Sequence, residues 1–352
     1  MAGSTPPSHL DGEFEEVHYL ADRASGLKAI VVLHDTSLGP ALGGIRCARF
    51  ADEGAALEEA LELARTMTLK CLLAELPAGG GKAIVLDHDG MDRPAAFEAL
   101  GAFIERLGGR FFTAGDLGTT EQDLRAVART TRHVATRDHG VDEELSARTA
   151  EGVFIAAGTA LDLLGVAAWH GQRIAIQGLG SIGSRLAMLA RRAGARVFGS
   201  DVSAASAGNT SDTMPITLVD PDRLWEVDCE VFAPCAGSRI LDERTIARLR
   251  CRIVCGSANR QLDTPECGEL LAQRGILYAP DLLVNAGAVI LGSTPALHGF
   301  EPPSDLSGIG RRLREVLVES RATQVAPHRI ALARAERRLE EARAKRQSAA
   351  AG

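Results

Sequence analysis

Aromatic residues are scarce: Phe, Trp and Tyr make up 4% of the chain, with two Trp and two Tyr. That is a poor match to the aromatic-rich patches of binding modules. Long apolar runs are also missing. The longest, such as residues 152–164, are broken by polar and small residues, short of the ~20 apolar positions that a membrane-spanning helix needs. The first sixteen residues have neither a basic segment nor an apolar one, so no secretory signal is expected. No CxxC occurs, and the seven cysteines at 47, 71, 229, 235, 251, 255 and 267 are odd in number and scattered. They read as reduced, buried thiols of a cytoplasmic protein, with no metal site. An excess of positive charge is lacking too. Lys plus Arg is 39 against 46 Asp plus Glu, a net charge of −7, which argues against a dedicated nucleic-acid binder.

What remains is ordinary globular material. The chain has 352 residues, 45% of them hydrophobic and 24% charged, with 37 glycines. At ~100–200 residues per domain this length predicts two domains, or three. Residues 1–16 read as a loosely ordered tail. Residues 28–34 read as a strand and 37–44 as a turn-rich loop. A helix is expected from 52 to about 75, with Ala56, Ala60, Leu63, Met67 and Cys71 at helical spacing. A glycine loop then feeds a strand near 82–87. A helix at 94–107, a strand at 110–114, a helix at 121–128 and a strand at 133–136 complete a mixed α/β unit.

A long helix is expected from 147 to about 164. After it, short β-branched runs at 173–177, 196–201, 230–233, 252–255 and 276–278 alternate with helical segments at 182–193, 243–249 and 265–274. This pattern implies parallel strands with right-handed crossovers, a doubly wound domain. The expected division is 1–148, completed by a C-terminal helix at 324–352, and 149–323. Residues 311–346 hold eleven basic and five acidic residues and read as a solvated helix face or an inter-subunit contact.

Four motifs carry chemistry. Residues 178–183 (GLGSIG) form a GxGxxG after a strand and before a helix, and Asp201 lies 18 residues beyond Gly183. In that context the pattern is a dinucleotide fingerprint. Gly178 permits the tight turn, Gly180 admits the pyrophosphate to the helix N-terminus, and Gly183 lets helix and strand pack. Asp201 would accept from the ribose hydroxyls and repel a 2′-phosphate, which favours NAD over NADP. The second motif is the run Gly79, Gly80, Gly81, Lys82. It lacks the spacing and the Ser/Thr of a Walker loop. It reads either as backbone brought close to a small ligand beside a desolvated lysine base or as a surface lysine after a flexible turn. The third is Lys70, near the end of the long helix, where a solvated lysine complementing the dipole is the plainer alternative. The fourth is the segment around Asp116, which could equally be a helix cap.

The segments LGPALGGIR, ARTMTLK, PAGGGKAIV, TAGDLGTTEQD, IQGLGSIG, EVFAPCAG and YAPDLLVNAGAVI occur in that order. In order and content, across residues 28–346, the chain resembles the Glu/Leu/Phe/Val dehydrogenase family, and within it the leucine, valine, phenylalanine and tryptophan dehydrogenase branch. The resemblance implies an N-terminal mixed α/β substrate domain, a Rossmann NAD-binding domain, and C-terminal helices returning to the first domain, with the site in the cleft between them. It implies NAD-dependent deamination of an apolar L-amino acid, branched-chain or aromatic, to the 2-oxo acid and ammonium, and the reverse reaction, in a homo-oligomer.

Residue by residue, the resemblance makes Lys82 the catalytic lysine, Asp116 the proton-transferring acid and Lys70 the anchor of the substrate carboxylate. Gly43 and Gly44 line the substrate site. Leu42 stands where glutamate-specific relatives place a lysine, which implies an apolar substrate. Ala114, Val289 and Gly292 are pocket-wall positions, and Gly292 replaces a branched aliphatic residue. On the cofactor side stand Gly178, Leu179, Gly180, Ser181, Ile182, Gly183, Ser184 and Asp201. Thr149, Cys235, Ala236, Asn259 and Asn285 join them. Three departures stand out: a charged segment at 138–148, Arg260 in place of a second asparagine, and a short stretch after Asp201 with little helical material. The charged segment motivates one alternative, a catalytically silent dinucleotide-binding regulator. An imine or oxo-acid reductase on the same scaffold is another.

Overall fold

A computed structural model describes residues 12–135, 141–166, 169–292 and 306–351. The chain divides into two compact units. One comprises Met1–Asp142, Gly292–Pro302 and Ala335–Gly352, the other Glu143–Leu291 and Pro303–Arg334.

In the first unit β1 (Glu16–Asp22), β2 (Leu27–Asp35), β3 (Ala41–Ala48), β4 (Gly79–Leu86) and β5 (Phe111–Gly115) form one sheet in the order β1-β2-β4-β3-β5. β2 is antiparallel to β1 and β4, while β3 runs parallel to β4 and β5. Both faces are covered, so the strands read as continuous apolar runs rather than alternating ones. Ile30, Val32 and Ile84 pack on one face against Ala56, Leu57, Ala60 and Ala64 of α1 (Glu53–Leu73). Ala29, Val31, Ile45, Ala83, Val85 and Phe111 face the other way, onto α2 (Arg93–Arg106) and α3 (Glu121–Ala128). The Asp52 side chain starts α1 by accepting from Ala55 N at 2.8 Å.

The second unit begins with α4 (Val141–Leu163). Its strands are β6 (Arg173–Gln177), β7 (Arg196–Ser200), β8 (Thr217–Leu218), β9 (Cys229–Pro234), β10 (Cys251–Val254) and β11 (Leu277–Tyr278). They pair in parallel in the order β11-β10-β9-β6-β7-β8. Numbered from β6, this is the doubly wound dinucleotide-binding order, which reverses direction between β6 and β9. Between the strands run α5 (Ser181–Arg192), α6 (Ala204–Thr213), α7 (Glu243–Arg248) and α8 (Glu266–Gln273). They are followed by α9 (Asp281–Val284), α10 (Gly287–Gly292), α11 (Ser307–Thr323) and α12 (Pro327–Ala351). From Ala335 onward α12 groups with the first unit. There the Arg343 guanidinium meets the buried Asp35 carboxylate at 2.8 Å.

Several expectations need correction. The loop read at 37–44 gives way to β3 from Ala41, a central strand. The glycine loop before Lys82 is no loop, because β4 begins at Gly79 and its first residues are buried. The polar segment after residue 15 forms an edge strand, β1. Of the strand read at 133–136, the described residues show a single bridge between Val134 and Thr113, and residue 136 lies outside them. Helix α4 starts at Val141, earlier than 147, so the charged segment is helical from there on; residues 138–140 lie outside the described residues. The stretch after Asp201 holds helix α6, which Ser203 caps by accepting from Ser206 N at 3.2 Å. A hydroxyl cap followed by alanines starts a helix there in spite of the polar residues that follow.

Candidate functional site

In β-strands alternate side chains share a face. Ile84 of β4 faces α1, so Lys82 and Gly80 point to that side. Ala41, Ile45 and Cys47 of β3 face the other helices, so Leu42, Gly44 and Arg46 join Lys82. By the same count Ala114 of β5 does too. Pairing puts Gly44 beside Ala114, and the register Leu42↔Gly80 and Ile45↔Ala83 puts Gly44 beside Lys82. Gly44 thus sits in the middle of a row whose ends are Lys82 and Ala114, and its missing side chain leaves room for the turn that carries Asp116. A Cβ on Gly44 would lie 2.9 Å from the Asp116 Cβ and 2.8 Å from Gly115 O.

Lys82 is 5% exposed, and its Nζ donates to Asp116 Oδ2 at 2.6 Å. The surface-lysine alternative does not hold. Arg46 Nε donates to the same Oδ2 at 2.9 Å, and its other arm pairs with Glu59 of α1. Burial pulls the Lys82 ammonium below the usual lysine range, with Asp116 opposing. Burial would raise the Asp116 carboxyl, but Lys82 and Arg46 outweigh it and hold it at about 2. Lys70 is buried near the end of α1 rather than solvated.

Asp116 does not cap α3. Thr120 takes that place in a capping box with Asp123. The turn carrying Asp116 is tied down along its length. Thr119 N donates to Asp116 O at 3.0 Å, Thr119 Oγ1 bonds Ile45 O, and Cys47 N donates to Leu117 O at 3.0 Å. Gly118 adopts φ +76°, and a Cβ there would meet Cys47 O at 1.9 Å. The carboxylate is therefore aimed by a fixed turn.

Backbone packing by itself demands several glycines of this unit. A Cβ on Gly79 would lie 1.7 Å from Asp35 O, and one on Gly43 1.8 Å from Gly81 O. One on Gly80 would meet Thr68 N of α1 at 2.1 Å. These glycines let backbone pack on backbone.

In the second unit the fingerprint loop follows β6, and Cys235 and Ala236 follow β9, the two carboxyl ends that flank the switch point. Gly178 adopts φ +92°, and Gly183 packs against Gly178 O, where a Cβ would sit 1.9 Å away. Gly180 is different: a Cβ there would meet nothing within 4 Å. Gly180 begins α5 without a side-chain cap, so helix amides face open space. Leu179 and Ser181 flank it, Ile182 and Gly183 enter the first turn, and the Ser184 hydroxyl donates to Gly180 O at 2.7 Å. Asp201 stands just beyond β7 and accepts from Leu179 N at 2.8 Å, which holds its carboxylate against the loop. These features fit a dinucleotide: an open cradle of amides with an acid fixed beside it.

Asn285 Nδ2 donates to Asn259 Oδ1 at 2.9 Å and to Ser257 O at 3.1 Å. Thr149 of α4 is buried, and a Cβ on Gly287 would lie 3.1 Å from Thr149 N. These groups gather near the start of α10, which carries Val289 and Gly292, both half-buried. Arg260, the residue in place of a second asparagine, adopts a left-handed φ of 50°. Among the described residues no cluster of three His, Cys, Asp or Glu could hold a metal ion, and no helix is long and apolar enough to cross a membrane.

The Glu/Leu/Phe/Val dehydrogenase dimerisation domain matches residues 14–133, and the Glutamate/Leucine/Phenylalanine/Valine dehydrogenase domain matches residues 202–298. The chain belongs to the Glu/Leu/Phe/Val dehydrogenase family. A leucine dehydrogenase of Thermoactinomyces intermedius is 39% identical over 79% of this chain and 77% of that one. A phenylalanine dehydrogenase of Lysinibacillus sphaericus is 39% identical over 78% of this chain and 75% of its own. The crystal structure of L-tryptophan dehydrogenase from Nostoc punctiforme superposes with a TM-score of 0.82 at 30% identity, covering 95% of this chain and 98% of that one. As a Glu/Leu/Phe/Val dehydrogenase the chain is an amino-acid dehydrogenase with a Rossmann domain that takes a nicotinamide cofactor.

Two charged residues tied to the Lys82–Asp116 pair are absent from the sequence reading, Arg46 and Glu59. Arg46 carried a signal: it is the one charged residue in the strand ALGGIRCA, which is otherwise apolar or glycine. A charge inside a two-sided buried strand needs a partner, and that alone marks it for attention.

Proposed function

We propose that this protein interconverts an apolar L-amino acid, NAD and water with the 2-oxo acid, ammonium and NADH. The observation that carries the reading is the buried Lys82 ammonium bonded to the half-buried Asp116 carboxylate just beyond β5. Lys70 would hold the substrate carboxylate as a point charge. NAD supplies a hydride acceptor, and the cradle at Gly178–Gly183 orients it. Neutral Lys82 takes a proton from the water that attacks the imine carbon. Its charged form then stabilises the oxygen that becomes the oxo group. Asp116 takes the hydroxyl proton of the resulting carbinolamine and passes it to the nitrogen, so the C–N bond breaks as the oxo group forms and ammonia leaves as a neutral molecule.

Leu42 is apolar and buried, which supports an apolar side chain in the substrate. The relatives named for leucine, phenylalanine and tryptophan support the same class, and the dimerisation-domain match supports a homo-oligomer. NADH formation with Leu, Val, Phe and Trp tests the reading. Turnover with at least one, and ammonium-dependent NADH oxidation with its 2-oxo acid, is expected. NAD binding without turnover on any of them would favour a silent regulator, and oxidation without ammonium an oxo-acid reductase.

Asp201 supports NAD over NADP. Asn at that position keeps an acceptor for Leu179 N and removes the charge. Asp201→Asn should raise the NADP-to-NAD ratio of kcat/KM by about tenfold or more, since the ribose hydroxyls lose an ionic acceptor and the 2′-phosphate loses a repulsion. An unchanged ratio would remove Asp201 from cofactor selection.

A further inference from the structure

We propose that Arg46 is a positioning residue that clamps Asp116 by Oδ2, so that Oδ1 is the oxygen that carries the proton, with Glu59 anchoring the clamp to α1. The inference rests on the reading of Lys82 and Asp116 as the reacting pair. Among the described residues, both hydrogen bonds to the Asp116 side chain end on Oδ2, from Lys82 Nζ at 2.6 Å and Arg46 Nε at 2.9 Å. An oxygen that accepts from two cations is the poorer base, and the carboxylate's other oxygen is left as the better one. A lysine alone would leave the carboxylate free to swing about its Cβ. A guanidinium in a plane fixed at its far end by Glu59 does not.

The clamp also sets charge around Lys82. Asp116 faces it from the turn after β5, Arg46 from β3 and Glu59 from α1, the helix that also carries Lys70; its partner on β2, Val32, is apolar. Arg46 competes for the carboxylate and repels the Lys82 proton, whereas Glu59 attracts it. Removing Arg46 therefore makes Lys82 hold its proton to higher pH. Removing the charge of Glu59 does the reverse. Deamination needs neutral Lys82, so the rate rises with pH as Lys82 loses its proton, and the acid limb of kcat/KM follows each change.

The test is the pH profile of deamination for the full chain as wild type, Arg46→Gln, Arg46→Lys and Glu59→Gln, with thermal unfolding and NADH binding measured in parallel. Arg46→Gln should move the acid limb up by about one pH unit and lower the plateau kcat about tenfold to a hundredfold, with KM little changed. Arg46→Lys should restore the limb by charge but not the plateau, since the rigid fork is lost. Glu59→Gln should move the limb to lower pH. Opposite movement in the Arg46 and Glu59 variants is something a merely structural role cannot produce. A limb and plateau in Arg46→Gln equal to wild type, or a loss that tracks unfolding alone, would overturn the proposal. Full activity in Lys82→Ala would instead overturn the underlying site reading, which keeps the two failures apart.

Discussion

Lys82→Ala is expected to lower kcat about a thousandfold in both directions, the scale of a lost general base with its electrostatic partner. That corresponds to ~4 kcal/mol of transition-state stabilisation. The variant should still fold, because Asp116 keeps Arg46 as a partner and remains partly open to water. Dinucleotide binding, which belongs to the other unit, should persist. The pH profile gives the sharper signature. Burial lowers the affinity of Lys82 for its proton, so wild-type deamination should climb as that proton is lost. The residual rate of the variant should lack that limb. Lys82→Met fills more of the vacated space and should behave alike. Full activity in either variant would make the assigned chemistry wrong.

Gly80→Ala is expected to be severely destabilising, because the added methyl drives into the backbone of α1. Its Cβ would lie 2.1 Å from Thr68 N, 2.5 Å from Ala64 O and 2.6 Å from Thr68 Oγ1. Two of these are helix backbone atoms, so no side-chain rotation relieves the clash and α1 must move as a body. Overpacking of this kind costs ~3 kcal/mol or more. The urea midpoint should fall accordingly, or folded protein should be absent. Gly180→Ala is the matched contrast. Nothing lies within 4 Å of its Cβ and its φ is ordinary, so stability should change by less than ~1 kcal/mol while NAD binding weakens. Equal stability losses at the two positions would refute the distinction between packing glycines and ligand glycines.

That distinction also marks where the sequence was legible. In the second unit five of the six strands and helices α4, α5, α7 and α8 are legible, because parallel strands alternating with amphipathic helices leave two clear periods in the chain, while β8, α6, α9 and α10 are not. Its ligand loop was legible as well, since a GxGxxG between strand and helix has one common use. The first unit was harder. Gly43 and Gly44 in LGPALGGIR, and Gly79–Gly81, are local signals for turns. Here they lie inside β3 and β4, where what demands glycine is the backbone of another element, such as Gly115 for Gly44 and Asp35 for Gly79, and no local window contains that fact. Lys82 and Asp116 were found as members of motifs. Their joint dependence on Arg46 was not, because an ion triad from β3, β4 and the turn after β5 is a product of register. Helix α6 was missed because its polar composition hides a start that a single serine cap supplies.

Gly80 and Lys82 sit two residues apart on the same face of β4, and this gives the strand a metrological role. The contact of Gly80 with α1 fixes the zero of a scale, and the ammonium is placed two residues along it, about 7 Å at ~3.3 Å per residue. Any change that lifts α1 off the sheet alters the height of the reacting nitrogen relative to Asp116, which is referenced to β3 instead. Tolerance at the helix–sheet seam is therefore tolerance at the chemistry, and substitutions that never approach a substrate can register first as errors of alignment.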